Sequence, residues 1–150
     1  MGRKIRLTKE FRFEMAHALW KYDGLCKHFH GHSYILRVTV MGEPIEDKKS
    51  PKYGMVMDFG LLKQIVHEEV VDRMDHALVL NNDSEHQALL SLPEMGERVI
   101  LTQYQPTCEN MLLEMAERIK PRLPKGVLLH SLRLNETANS FAEWYAEDNK

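Results

Sequence analysis

Cysteine is scarce: the 150 residues hold two, Cys26 and Cys108. They could form one bridge at most, and a reducing compartment keeps both as thiols, so a disulfide-stapled scaffold is excluded and Cys26 is read for chemistry. Basic surplus is also missing, with 20 Lys and Arg against 22 Asp and Glu and a formal charge of −2. Nothing in that balance favours a phosphate backbone, so no nucleic-acid partner is expected. No apolar run approaches the roughly 20 residues of a membrane helix. The opening stretch MGRKIRLTKEFRFE lacks the apolar centre of a signal peptide, so the expectation is a cytoplasmic protein with no membrane partner. Internal repeats, low-complexity tracts and linkers are absent, which leaves one domain over residues 1–150. What is present, 43% hydrophobic and 28% charged residues, suits a globular chain with one sizeable core.

Periodicity divides the chain. Residues 4–17 alternate, Phe11, Phe13, Met15 and His17 on one face and Arg12, Glu14 and Ala16 on the other, the period-two signature of a half-buried strand. Residues 32–41 alternate again, Tyr34, Leu36, Val38 and Val40 against Ser33, Arg37 and Thr39. Gly42 to Tyr53 reads as a connection. Asp58 caps a helix with Leu62, Ile65, Val66, Val70 and Met74 at helical spacing, and Thr107 caps a second with Cys108, Met111, Leu112, Met115, Ala116 and Ile119. This second helix stops at Lys120, before Pro121. Residues 127–136 return to strand, with Leu128, Leu132 and Leu134 sharing a face, and Phe141 to Ala146 forms the last strand. Residues 81–105 show little pattern apart from a short strand candidate at Arg98 to Gln103. The order is ββααββ, an α+β fold with both helices on one side of a four-stranded antiparallel sheet. Its two open edges need covering or pairing with another subunit.

The stretch CKHFHGHSY holds Cys26, His28, His30 and His32. Alternate residues of a strand share a face, so His30 and His32 point with Tyr34 and Leu36, while His17 extends the Phe11 to Met15 face. If these strands are antiparallel neighbours, three imidazoles converge at one end of the sheet. Three neutral nitrogen ligands suit zinc and leave a fourth position for water or substrate. His28 shares the parity of His30, so spacing alone does not remove it. Cys26 either closes a structural site as a fourth ligand or is a free thiol acting as base or nucleophile beside the cation. Cys108 and His130 read as core residues.

Two carboxylate positions stand out. Glu136, in LRLNET, ends the stripe of Leu132 and Leu134, where no Lys or Arg is available. A buried carboxylate needs donors, and a ligand with two parallel N–H groups would supply them; a capping role in a turn is the plain alternative. Asp75 and His76, in RMDHALVLN, are either a turn or an acid that orients an imidazole for proton transfer.

Together, FEMAHAL, CKHFHGHSY, GMVMDFGLLK, MDHALVLN, PTCEN and LNET resemble the 6-pyruvoyl-tetrahydropterin and 6-carboxytetrahydropterin synthase family over nearly the whole chain. The resemblance implies the tunnelling fold, whose subunits pair their sheets into a barrel, and a homohexamer with active sites between subunits. It implies zinc on His17, His30 and His32, a catalytic Cys26 and an Asp75–His76 proton relay. It also implies that Glu136 anchors a pterin in a pocket lined by Thr107. The substrate implied is dihydroneopterin triphosphate. The three residues between Cys26 and His30 resemble bacterial carboxy-forming members, whose step leads toward 7-deazaguanine and queuosine; pyruvoyl-forming members resemble a longer gap. Residues 81–105 are longer than in compact members, and His28 adds a second candidate ligand or base. The competing expectations are the pyruvoyl-forming synthase, a structural zinc module closed by Cys26, and a zinc hydrolase or deaminase with an HxH pair.

Overall fold

Alternation becomes strand where it was expected. In the computed structural model, which describes residues 2–94 and 96–150, β1 (Ile5–Ala18) and β2 (His30–Gly42) form the central antiparallel pair. Their register runs from Ile5 opposite Gly42 to His17 opposite His30. β5 (Leu128–Thr137) adds to β2, and β6 (Ser140–Tyr145) adds to β5, both antiparallel.

The sheet is larger than the sequence pattern indicates. β3 (Ala77–Asn81) pairs parallel to β1, and β4 (Val99–Thr102) pairs parallel to β3. The result is a six-stranded mixed sheet in the order β4-β3-β1-β2-β5-β6. The expected four-stranded antiparallel sheet is its β1, β2, β5 and β6 portion, with two parallel strands continuing it beyond β1. β4 lies within the expected Arg98 to Gln103 strand. Residues before it form 3-10 turns at Glu85–Ser91 and Gly96–Arg98.

Asp58 caps α1 (Phe59–Val66), its carboxylate accepting from the Gly60 N–H at 2.7 Å. The helix widens into a π-turn at His67–Val71 and ends as the short α2 (Asp72–Met74). Thr107 caps α3 (Cys108–Ile119), its hydroxyl accepting from the Asn110 N–H at 3.2 Å. Both helical segments pack on the same face of the sheet. Phe13, Leu36 and Val38 meet Leu62, Ile65, Val66 and Met74 from the first, and Met111, Leu112, Met115 and Ile119 from α3. Phe13 stacks on Tyr34 with ring centroids 5.2 Å apart and planes 10° from parallel. The other face is polar: Glu10 pairs with Arg37 at 3.0 Å, and the Thr8 and Thr39 hydroxyls meet at 2.7 Å.

One parity expectation fails. The β2–β5 register shifts between Thr39 and Val40, so Thr39 faces Ser131 while Val40 faces Leu129. One residue of β5 is unpaired at this bulge, which flips the side-chain alternation before it. Leu129 is therefore buried and Leu128 is 58% exposed. His130, at the bulge, is half-buried rather than core, its ring edge-on to Tyr145.

Candidate metal centre

The β1–β2 register places His17 directly opposite His30, and His32 opposite Met15. Inward-facing side chains from both strands thus end in imidazoles at the same end of the sheet. One ligand nitrogen from each of His17, His30 and His32 lies within 4.8 Å of the other two. His17 is 1% exposed.

Backbone carbonyls set two of the rings. His17 Nδ1 donates to the Pro106 carbonyl at 2.7 Å, and His30 Nδ1 donates to the His28 carbonyl at 2.7 Å. A ring that donates through Nδ1 carries its lone pair on Nε2. The Nε2 atoms of His17, His30 and His32 are buried with no hydrogen-bond partner among the described residues. Buried polar atoms are rarely left bare without a reason, and metal-ligating histidines are oriented by such second hydrogen bonds.

Burial depresses the pKa of His17 and outweighs the opposing pull of the Pro106 carbonyl and the Glu136 charge. Burial also lowers His32, with His30 adding to the effect and Glu136 opposing it. Both rings are thereby kept neutral, the form that binds a cation. Glu136 Oε1 stands 3.5 Å from His17 Nε2 and 3.7 Å from His32 Nε2. Glu136 is partly exposed, so its carboxylate reaches the centre without being sealed inside the core.

Other expected site residues are arranged nearby or apart. Cys26 lies in a 3-10 turn (Leu25–Lys27) just before β2, as a partly exposed free thiol. It is not part of the three-histidine cluster. The ring of His28 is outside that cluster too, and its carbonyl is what reaches His30. Asp75 and His76 pair with each other, Oδ1 to Nδ1 at 3.1 Å, at the α2–β3 junction. The Glu14 N–H donates to Asp75 at 2.9 Å, and that bond is the main reason the Asp75 carboxyl sits below the usual range. His76 has φ 63° and borders a hollow of about 400 Å3 together with His32, Gly31 and Ser33. Cys108 is buried core, its thiol facing the Leu134 carbonyl at 3.3 Å and pushed up to about 12 by burial.

Of three further contributors, two carry no sequence signal. The Pro106 carbonyl acts through the backbone. Gln105 clamps the loop after β1, accepting from the Trp20 N–H at 3.0 Å and donating to the Trp20 carbonyl at 2.7 Å. The Tyr34 hydroxyl is buried and unpartnered, and the ring lies edge-on to His17 and His32. The position of Tyr34 two residues after His32 in the same stripe was the available hint.

Fold and site define an α+β protein whose mixed sheet carries a three-imidazole centre at one end. A sequence profile of 6-pyruvoyl tetrahydropterin synthase matches residues 6–147, and the chain belongs to that family. It is 35% identical over 142 residues to a 6-carboxy-5,6,7,8-tetrahydropterin synthase of Haemophilus influenzae, covering 93% of this chain and 98% of the relative. It is 27% identical to a 6-pyruvoyl tetrahydrobiopterin synthase of Dictyostelium discoideum, covering 98% of this chain and all of the relative (100%). Among solved structures, an uncharacterised protein of Wolinella succinogenes superposes with a TM-score of 0.77 at 21% identity, covering 96% of this chain and 99% of that one. The Caenorhabditis elegans 6-pyruvoyl tetrahydropterin synthase gives 0.68 at 23% identity, covering 96% of each chain. These structures share the fold.

Proposed function

We propose that this chain is a zinc-dependent 6-carboxytetrahydropterin synthase. It converts 7,8-dihydroneopterin triphosphate to 6-carboxy-5,6,7,8-tetrahydropterin, releasing acetaldehyde and triphosphate, as a step toward 7-deazaguanine and queuosine. The observation that carries the reading is the convergence of three bare Nε2 atoms, two of them on rings already oriented by backbone carbonyls. Three neutral imidazoles fit zinc in a catalytic site, which keeps its fourth position for water or substrate. When bound, zinc supplies Lewis-acid activation of the substrate side-chain oxygens.

The chain's own residues then divide the work. Glu136 holds the pterin by accepting its two parallel N–H groups; its oxygen beside His17 and His32 keeps the pterin edge next to the centre. Thr107 lines that pocket from the start of α3. Cys26, partly exposed on the turn before β2, takes a carbon-bound proton as thiolate. His76 moves a proton through Nε2 while its Nδ1–H is fixed on Asp75. The bond from the Glu14 N–H keeps Asp75 ionised and its carboxylate in place. The exclusion of Cys26 from the histidine cluster speaks against the closed structural zinc module. The assembly is a cytoplasmic homohexamer with sites between subunits.

The carboxy branch is favoured by the short Cys26 to His30 spacing and by the Haemophilus influenzae relative. The test is mass spectrometry of the products that the zinc-loaded protein makes from 7,8-dihydroneopterin triphosphate. A 6-carboxytetrahydropterin with acetaldehyde is expected. A pyruvoyl product moves the protein to the other branch, and no turnover by folded, metal-loaded protein overturns the enzyme reading.

A further inference from the structure

The weakly patterned stretch after β3 ends at Arg98, one residue before Val99 opens β4. β4 runs parallel to β3 with Val99 opposite Leu78, and β3 starts directly after His76. The pairing of these two strands delivers Arg98 to the junction that carries Asp75 and His76. There its Nη2 donates to the Arg73 carbonyl at 3.2 Å and to the Asp75 carbonyl. We propose that Arg98 is a positioning residue for His76, clamping the α2–β3 junction so that the imidazole stays in place for proton transfer. This rests on the pterin synthase reading and deepens it by adding a residue to the relay.

His76 needs such a clamp. Its φ of 63° lies in the left-handed region, which a residue with a Cβ enters only when its surroundings impose it. Its side chain is 76% exposed and pairs with Asp75, so little packing fixes the ring. The ring therefore goes where the backbone puts it. The peptide between Asp75 and His76 is one rigid plane, and it is gripped at both polar ends. Its N–H donates to the Glu14 carbonyl at 2.6 Å, and its oxygen accepts from Arg98. Gripping both ends fixes ψ of Asp75 and φ of His76 together.

The chemistry of the contact suits arginine. The Arg73 carbonyl belongs to the last turn of the first helical segment, where carbonyls lack intrahelical partners and a cation is favoured. One guanidinium carries enough N–H groups to serve it and the Asp75 carbonyl at once. The Asp75 carboxyl is held low chiefly by the Glu14 N–H, and the Arg98 charge adds to that effect. Glu14 acts through its main chain on both Asp75 and His76. Arg98 is thus the grip that a side-chain substitution can remove.

The experiment compares Arg98→Met, which keeps the apolar stem but no donor, and Arg98→Lys with the parent, each as zinc-loaded full chain with metal content and circular dichroism checked. The 15N spectrum of the histidine rings is recorded at about pH 8, where a free imidazole is neutral; His76→Asn identifies the His76 signals. Turnover of 7,8-dihydroneopterin triphosphate is measured alongside. The parent should hold His76 as the Nδ1–H tautomer facing Asp75, and Arg98→Met should show a mixture of both tautomers. In Arg98→Met, kcat should fall about tenfold with KM unchanged, and Arg98→Lys should recover most of both effects. A His76 spectrum or a kcat like the parent's in Arg98→Met overturns the proposal. Loss of metal or a raised KM also overturns it, because Arg98 would then act on the whole site. Should Arg98→Met fail to fold, Arg98→Ala carries the same comparison. Absence of turnover in the parent would overturn the pterin reading instead, while the ring spectrum still decides whether Arg98 sets His76.

Discussion

His17 and His30 each commit Nδ1 to a carbonyl and leave Nε2 free, so the centre is oriented before any cation arrives. Replacing His30 or His32 by alanine is expected to abolish metal binding, whereas His28→Ala keeps it, because only the His28 carbonyl is used. Metal analysis of the purified variants reads this directly, and a metal-free His28→Ala protein would show that the ligand set is wrong. Cys26→Ala should retain metal and fold but lose turnover. The depressed pKa values of His17 and His32 give a pH prediction for the metal-free protein. Below the ordinary value of 6.5 the unfolded chain takes up protons that the folded rings resist. Stability is therefore full above that pH and is lost as pH falls through the lower folded values. Thermal denaturation between about pH 7.5 and pH 5 should show the decline, and a flat profile would contradict it. The HxH spacing and the His17 parity were legible in the sequence. The carbonyl of Pro106 was not, since a backbone acceptor leaves no mark in residue type.

The alternating strands were located from the sequence and β4 falls within the short Arg98 to Gln103 candidate, but β3 was missed, for a physical reason. β3 has the sequence ALVLN and is buried on nearly every residue. Parallel strands covered on both faces show continuous apolar runs without a period-two signal. A bulge is equally silent, which is why Leu128 seemed to belong to the core and Leu129 did not. Leu129→Ala is expected to cost about 2–5 kcal/mol in denaturant unfolding. Leu128→Ala should change stability by less than about 0.5 kcal/mol, and equal effects would place the bulge elsewhere. The two helices were legible through their caps. Thr107→Ala removes the bond to the Asn110 N–H and should cost about 1 kcal/mol. It should also weaken metal affinity, since the neighbouring carbonyl that sets His17 belongs to the same junction. A metal titration of that variant checks the second effect.

Six strands in one sheet leave β4 and β6 at its edges. Unpaired edges invite strand pairing between chains, and the proposed hexamer should appear in sedimentation as a species several times the mass of one chain. The sequence pattern expected two open edges on a four-stranded sheet but not that β4 would be one of them, because β3 went unread and the Arg98 to Gln103 candidate was not placed in the sheet. The bond from His17 to Pro106 joins positions 89 residues apart. During synthesis on the ribosome, His17, His30 and His32 all emerge long before the residue that orients the first of them. A nascent chain arrested ahead of residue 106 would thus display all three imidazoles yet hold metal weakly. Tight loading would wait until the second half of the protein has been made and has closed back onto the first.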